Sequence, residues 1–138
     1  MASKVFTQIF RTMSKHIHSD KAAKPVAAYT QAVRAGELVF VSGCIPLNPK
    51  TGALVSDTIE NATAQSLSNV KNVLISAGLD LEDIVKASVF MIDSEDYAGM
   101  NNKYTEIMPE PYPAREAIFV KGLPMNARVE ISVIAKAL

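Results

Sequence analysis

A chain of 138 residues can bury one hydrophobic core but not two, so a single domain is expected. Fourteen basic side chains balance fourteen acidic ones, which leaves no net field to recruit a nucleic-acid backbone or an anionic membrane as partner. The one cysteine, Cys44, cannot close an internal disulfide, no His/Cys cluster has metal-ligand spacing, and no apolar run approaches the ~20 residues of a membrane-spanning helix. The expectation is a soluble protein of a reducing compartment, without structural metal.

The first nineteen residues hold Lys4, Arg11 and Lys15 but no acid before Asp20. On a helical wheel of ~100° per residue, Val5, Phe6, Ile9, Phe10, Met13 and Ile17 share one apolar sector. A basic amphipathic helix with interspersed Ser and Thr reads as a mitochondrial transit peptide over residues 1–19, ahead of one domain over residues 20–138. The expected destination is the mitochondrial matrix, and an internal start at Met13 would yield a cytoplasmic form. The competing reading is a surface helix belonging to the domain.

Further along, Ala32-Val33-Arg34-Ala35, the turn Gly36-Glu37 and the β-rich run Leu38 to Gly43 predict a hairpin. Asn48-Pro49-Lys50-Thr51-Gly52 is a second turn cluster. Apolar residues at three- and four-residue spacing predict a helix over residues 59–77, stopped by Gly78. A buried strand follows over residues 84–92, then a second helix capped by Ser94 and running to Met108 before Pro109. Pro109, Pro111 and Pro113 should hold the approach to Arg115 extended. A closing hairpin pairs residues 115–120 with residues 129–135.

The order β-β-α-β-α-β-β describes an α+β sandwich, two helices on one face of a mixed sheet. In the last strand Val129, Ile131 and Val133 alternate with Glu130, Ser132 and Ile134, so both faces carry apolar character. One helical layer covers one face only, and a homo-oligomer is expected to cover the other.

Two charges stand out inside strand-like apolar runs. Arg115 offers a planar fork that binds a carboxylate through two parallel hydrogen bonds, and the bland alternative is an internal salt bridge to Glu130 or Glu116. Glu130 lies between Val129 and Ile131, where the pairing register alone decides which face it takes. The segments Tyr29-Thr30-Gln31-Ala32-Val33, Val41-Ser42-Gly43-Cys44-Ile45-Pro46, Asn101-Asn102-Lys103-Tyr104, Pro113-Ala114-Arg115 and Val129-Glu130-Ile131 together resemble the Rid (RidA/YjgF type) family of imine and enamine deaminases, from about Ile17 to the C-terminus.

That resemblance implies a chorismate-mutase-like fold and a homotrimer with sites at the clefts between subunits. It implies that Arg115 anchors a substrate carboxylate with help from Tyr29 and Asn101. Glu130 would orient or deprotonate the attacking water, while Ser42, Gly43 and Ala117 contribute at close range, largely through backbone. Ala27 and Ala28 stand where the family has Gly-Pro, a departure associated with a eukaryotic branch, and Ala117 replaces a frequent cysteine. Cys44 stands where Gln is common and reads as a small hydrophobe, with no histidine near to make it a nucleophile. Glu116 either tunes the arginine or faces solvent, and His16 and His18 read as surface residues.

The activity implied is cofactor-free hydrolysis of 2-iminobutanoate and 2-iminopropanoate to 2-oxo acids and ammonia, protecting pyridoxal-phosphate enzymes and supporting branched-chain amino-acid metabolism. The rivals are a non-enzymatic ligand sensor in the same clefts, and an endoribonuclease or translation inhibitor. Retention of Arg115 weighs against the first, and neutral charge with no basic, aromatic-lined surface weighs against the second.

Overall fold

The computed structural model describes residues 16–137, so the amphipathic segment over residues 1–15 lies outside the described residues. Six strands form one mixed sheet: β1 (His16–Ile17), β2 (Ala32–Ala35), β3 (Leu38–Cys44), β4 (Ile84–Met91), β5 (Ala114–Phe119) and β6 (Val129–Lys136). Among the described residues two α-helices, α1 (Ile59–Ser76) and α2 (Tyr97–Ile107), accompany the sheet. The spatial strand order is β1-β2-β3-β6-β4-β5, antiparallel except for the parallel pair β4 and β5.

Helix α1 forms where its apolar stripe predicts. Thr58 caps it by accepting a hydrogen bond from the Asn61 N–H, and Ile59, Ala62, Leu67, Val70, Val73 and Leu74 are buried. Gly78 at φ +77° lets the chain reverse, with the Leu79 N–H returning to the Leu74 carbonyl. The buried stripe packs on the sheet face made of Val39, Val41, Ala87, Val89, Met91, Val129, Ile131, Val133 and Ala135. Each valine, leucine, isoleucine and methionine among them contributes about 1.5–3 kcal/mol of burial, and each alanine less.

Among the described residues, no second layer covers the opposite face. Register places Val33 beside Phe40, Phe40 beside Ile134, Phe90 beside Glu130 and Ile118, and Ser88 beside Glu116 and Ser132. Leu38, Phe40 and Ile118 are exposed there. A second patch of apolar surface thus exists without a second layer of helices among the described residues.

Several sequence expectations change. The last two strands do not form a hairpin, because β4 lies between β5 and β6. Strand β6 buries every other residue from Val129 to Ala135, and only a central position, between β3 and β4, satisfies its backbone on both edges. Strand β5 takes the sheet edge instead, delivered there by the crossover through α2. Strand β4 ends at Met91, leaving Ile92 exposed. Asp93 rather than Ser94 is the cap: its carboxylate accepts the Glu95 N–H, opening a short 3-10 turn (Ser94–Asp96) ahead of α2. The approach to Arg115 bends at Glu110 and Pro111 before running into β5, so it is not simply extended.

At the other end, residues 16–19 belong to the folded domain. His16 pairs with Val33 and Ile17 with Ala32, and buried Ser19 exchanges backbone hydrogen bonds with the Gln31 amide at 2.7 and 3.1 Å. Both groups of that exchange are withdrawn from water, so the domain begins ahead of residue 20.

One ion pair locks the loops beneath α2. Arg128 donates to both carboxylate oxygens of Asp96, at 2.6 and 3.2 Å, and reaches the Ser56 carbonyl at 3.5 Å. The Asp96 side chain is only 7% exposed against 31% for Arg128. Arg128→Met strands a buried carboxylate, whereas Asp96→Asn leaves a cation that reaches water. Thermal unfolding should therefore show Arg128→Met losing about 3 kcal/mol and Asp96→Asn roughly half of that. Equal losses would mean that desolvation of Asp96 is not the dominant cost.

Candidate functional site

The sequence-selected residues gather into two clusters on different parts of the chain. The first is built on α2 and β5. Tyr97, Asn101 and Tyr104 recur at i, i+4 and i+7, which aligns them on one helix face, and Arg115 comes up beside them from the sheet edge. The Arg115 guanidinium carbon lies 4.7 Å from the centroid of the Tyr104 ring, and Nη2 donates to the Tyr97 hydroxyl at 3.2 Å. Asn101, Tyr104 and Arg115, with Thr105, Tyr112 and Pro113, line a cleft of about 230 Å³.

No carboxylate among the described residues pairs with Arg115. Glu116 is on the other face of β5, held by Lys86 at 2.7 Å and Ser88 at 2.6 Å, and those two partners keep its carboxyl below the usual range. Glu130 is also elsewhere. The salt-bridge alternative for Arg115 is thereby removed. A cation held by an aromatic face and one hydroxyl keeps most of its five N–H donors for an incoming anion.

The second cluster is built on the strand β3, where the pairing with β6 shifts register between Val41 and Cys44. This bulge carries Ser42 and Gly43 out of the regular ladder, a common way of aiming backbone at a ligand. The Ser42 hydroxyl donates to the Thr30 carbonyl at 2.6 Å and its N–H to the Gln31 carbonyl, so Ser42 secures the loop. Tyr29, half exposed, accepts a 3.5 Å hydrogen bond from the Val26 N–H at its hydroxyl. Tyr29, Ser42, Gly43, Cys44 and Gln31 line a small cavity of about 30 Å³.

Glu130 belongs to this second cluster. Its carboxylate rests against Gly43, where a Cβ would collide with it, so glycine is needed for the approach itself. Burial pushes the Glu130 pKa above the ordinary carboxylate value. The same burial, reinforced by Glu130, pushes the Cys44 thiol up to about 12, which leaves it a thiol at neutral pH and not a nucleophile. Gly43→Ala should drive the Glu130 carboxylate toward water and lower its pKa in a carbon-13 NMR titration; an unchanged value would show that Gly43 does not shape its surroundings.

Register settles how the two clusters relate. Arg115 stands beside Ala87 and Glu130 beside Phe90, three residues apart on β4, so the two charges occupy opposite faces of one sheet. One chain does not bring them into a common cleft. Ala117, two residues on from Arg115, shares its face and packs partly on the core. Sequence reasoning did not select Tyr97, Thr105 or Tyr112 as site residues, nor Tyr104 beyond its place in a motif. The i, i+4, i+7 spacing of Tyr97, Asn101 and Tyr104 was the signal available.

Among the described residues there is no group of three metal-ligating side chains, and no helix is long and apolar enough to cross a membrane.

Comparison with known proteins gives a consistent relationship. Residues 19–137 match the family described as endoribonuclease L-PSP. A RutC family protein of Pyrococcus horikoshii is 42% identical over 123 residues, covering 89% of this chain and 98% of that protein. The chloroplastic Reactive Intermediate Deaminase A of Arabidopsis thaliana is 38% identical over 119 residues, 86% of this chain and 64% of that protein. Among solved structures, Escherichia coli TdcF with bound serine superposes with a TM-score of 0.85 at 35% identity, covering 91% of this chain and 100% of that one. RidA from Psychrobacter gives 0.86 at 36% identity, covering 89% and 99%. The mixed sheet with two helices is the chorismate-mutase-like architecture of these relatives, and the chain belongs to the endoribonuclease L-PSP family, the group that includes the Rid, YjgF and RutC proteins.

Proposed function

We propose that this chain is a cofactor-free deaminase that hydrolyses 2-imino acids, with their enamine tautomers, to 2-oxo acids and ammonia, 2-iminobutanoate and 2-iminopropanoate being its substrates. The observation that carries the reading is Arg115, a guanidinium held over Tyr104 and paired with no carboxylate among the described residues. Support also comes from relatives: one is named a reactive intermediate deaminase, and another holds serine, whose α-carboxylate is the group Arg115 is suited to grip.

The chemistry follows from the two charges. Arg115 takes the substrate carboxylate, with Asn101 and Tyr29 closing around it. Glu130, its pKa raised by burial, takes a proton from water as the water oxygen bonds to the imine carbon and the C=N pair moves onto nitrogen. The same carboxyl returns that proton to nitrogen to give the carbinolamine, then takes the carbinol hydroxyl proton and passes it to nitrogen as the carbonyl forms and the C–N bond breaks, so that ammonia leaves and Glu130 is a carboxylate again. Imines already hydrolyse in water, so orientation supplies the acceleration that is needed.

Because Arg115 and Glu130 lie on opposite faces of one sheet, the reading requires a second copy to carry its Tyr29, Gly43 and Glu130 cluster to the Arg115 cleft of the first. Three copies packed through the uncovered sheet face would form three such clefts. Sedimentation should give a mass near three chains, and a stable monomer with full activity would defeat the shared site. The functional test couples threonine dehydratase to this protein and follows 2-oxobutanoate release. Acceleration over dehydratase alone is expected; no acceleration together with cleavage of RNA would favour the endoribonuclease that the family description names.

For localisation we propose mitochondrial import through a basic leader processed before His16, since His16 and Ile17 are built into the sheet. A reporter fused to residues 1–15 should enter mitochondria, and failure to enter would remove the leader.

A further inference from the structure

Arg115 can serve as a carboxylate anchor only if its guanidinium is already turned toward the ligand, because a long side chain loses about 1.5–2 kcal/mol of rotamer freedom when fixed. The tyrosine pair on α2 removes that freedom beforehand. Tyr104 lies beneath the guanidinium, with Cζ 4.7 Å from the ring centroid, and constrains the height and tilt of the fork. A flat ring does not constrain rotation in its own plane. The Tyr97 hydroxyl does so, accepting from Nη2 at 3.2 Å.

Tyr97 is itself positioned. As the first residue of α2 it follows the 3-10 turn that Arg128 ties down through Asp96, so its backbone is anchored by an ion pair. Its ring meets Phe119, the last residue of β5, edge to face at 6.5 Å between centroids and 67° between planes. Phe119 shares a strand with Arg115, four residues on. The chain runs from Arg115 Nη2 to Tyr97, from the Tyr97 ring to Phe119, and back along β5 to Arg115, a closed set of contacts around one cation. Tyr97 is 40% exposed and Phe119 47%, so burial of apolar surface does not account for the arrangement.

We propose that Tyr97 is a positioning residue for Arg115, its hydroxyl fixing the in-plane orientation of the guanidinium so that the remaining N–H donors meet a substrate carboxylate in a prearranged fork. The inference rests on the reading of Arg115 as a carboxylate anchor. The carboxylate is present in substrate, transition state and product alike, so a loosened fork weakens all three about equally.

The test is Tyr97→Phe, which keeps the ring against Phe119 and removes only the hydroxyl. KM for 2-iminobutanoate and the dissociation constant of 2-oxobutanoate should both rise about five- to tenfold, with kcat changed less than twofold. Phe119→Leu, which frees the Tyr97 ring while keeping the hydroxyl, should raise both in the same direction by a smaller factor. Nitrogen-15 NMR of the Arg115 Nη2 group should show faster rotation about the Nε–Cζ bond in ligand-free Tyr97→Phe than in wild type. The proposal is overturned if Tyr97→Phe leaves KM, product affinity and Nη2 rotation at wild-type values, or if kcat falls with KM unchanged. If wild type neither hydrolyses the imine nor binds the oxo acid, the deaminase reading fails and with it the role given to Tyr97, while altered Nη2 rotation would still identify the hydroxyl as a restraint on the cation.

Discussion

Arg115→Ala is expected to lower kcat/KM for 2-iminobutanoate by about a thousandfold while leaving a folded oligomer. Two hydrogen bonds to a charged group are worth about 1.5–3 kcal/mol each, and every 1.4 kcal/mol is a factor of ten, so loss of the fork spans two to four decades. The fold should survive because Arg115 has no carboxylate partner among the described residues that its loss would strand; what disappears is the contact with Tyr104, worth about 0.5–2 kcal/mol, and the hydrogen bond to the part-exposed Tyr97 hydroxyl. Arg115→Lys keeps the charge but presents a single rotating ammonium, which should recover one or two decades of the loss. Initial rates in the dehydratase-coupled assay, set beside thermal unfolding of each variant, decide the matter. Wild-type turnover in folded Arg115→Ala would refute the carboxylate anchor.

The second large effect is expected at Glu130, where activity and stability should move in opposite directions. Glu130→Gln keeps size and hydrogen bonding but cannot accept the water proton, so kcat should fall by about a hundred- to a thousandfold. Wild-type turnover should drop as pH falls through the raised pKa of Glu130, with a midpoint above the ordinary carboxylate value, and the variant should lack that limb. For stability the folded pKa is raised, so the folded protein holds this proton more tightly than the unfolded chain. The favourable contribution is fully present below the unfolded pKa and is lost as pH rises through the folded one. Glutamine does not ionise and escapes that loss. Glu130→Gln should therefore unfold at a higher temperature relative to wild type at pH 7 than at pH 4, and a variant less stable at pH 7 would recast Glu130 as a structural residue.

Much of the fold was legible along the chain. The hydrophobic period of α1, the Gly78 stop, the β2–β3 hairpin and the Asn48 turn are local, and each formed where it was read, Asn48 accepting the Lys50 and Thr51 N–H groups as expected of such a turn. The site residues were legible as chemistry: a cation and a carboxylate in apolar strands, a Ser-Gly pair, an asparagine on a helix.

Their arrangement was not legible, because it depends on pairing between strands far apart in sequence. Alternation tells which residues of one strand share a face, yet it cannot tell which face of the next strand they join. The neighbours Ala87 of Arg115 and Phe90 of Glu130 put the two charges on opposite sides, and the placement of β6 between β3 and β4 excluded the expected hairpin. The same non-local register produced the bulge that presents Gly43 to Glu130 and assigned Glu116 to Lys86 instead of Arg115. The sequence alone determined which charged and polar groups the protein carries; only the tertiary structure decided which of them one chain can bring together, since side-chain period is a property of a strand and face is a property of the sheet.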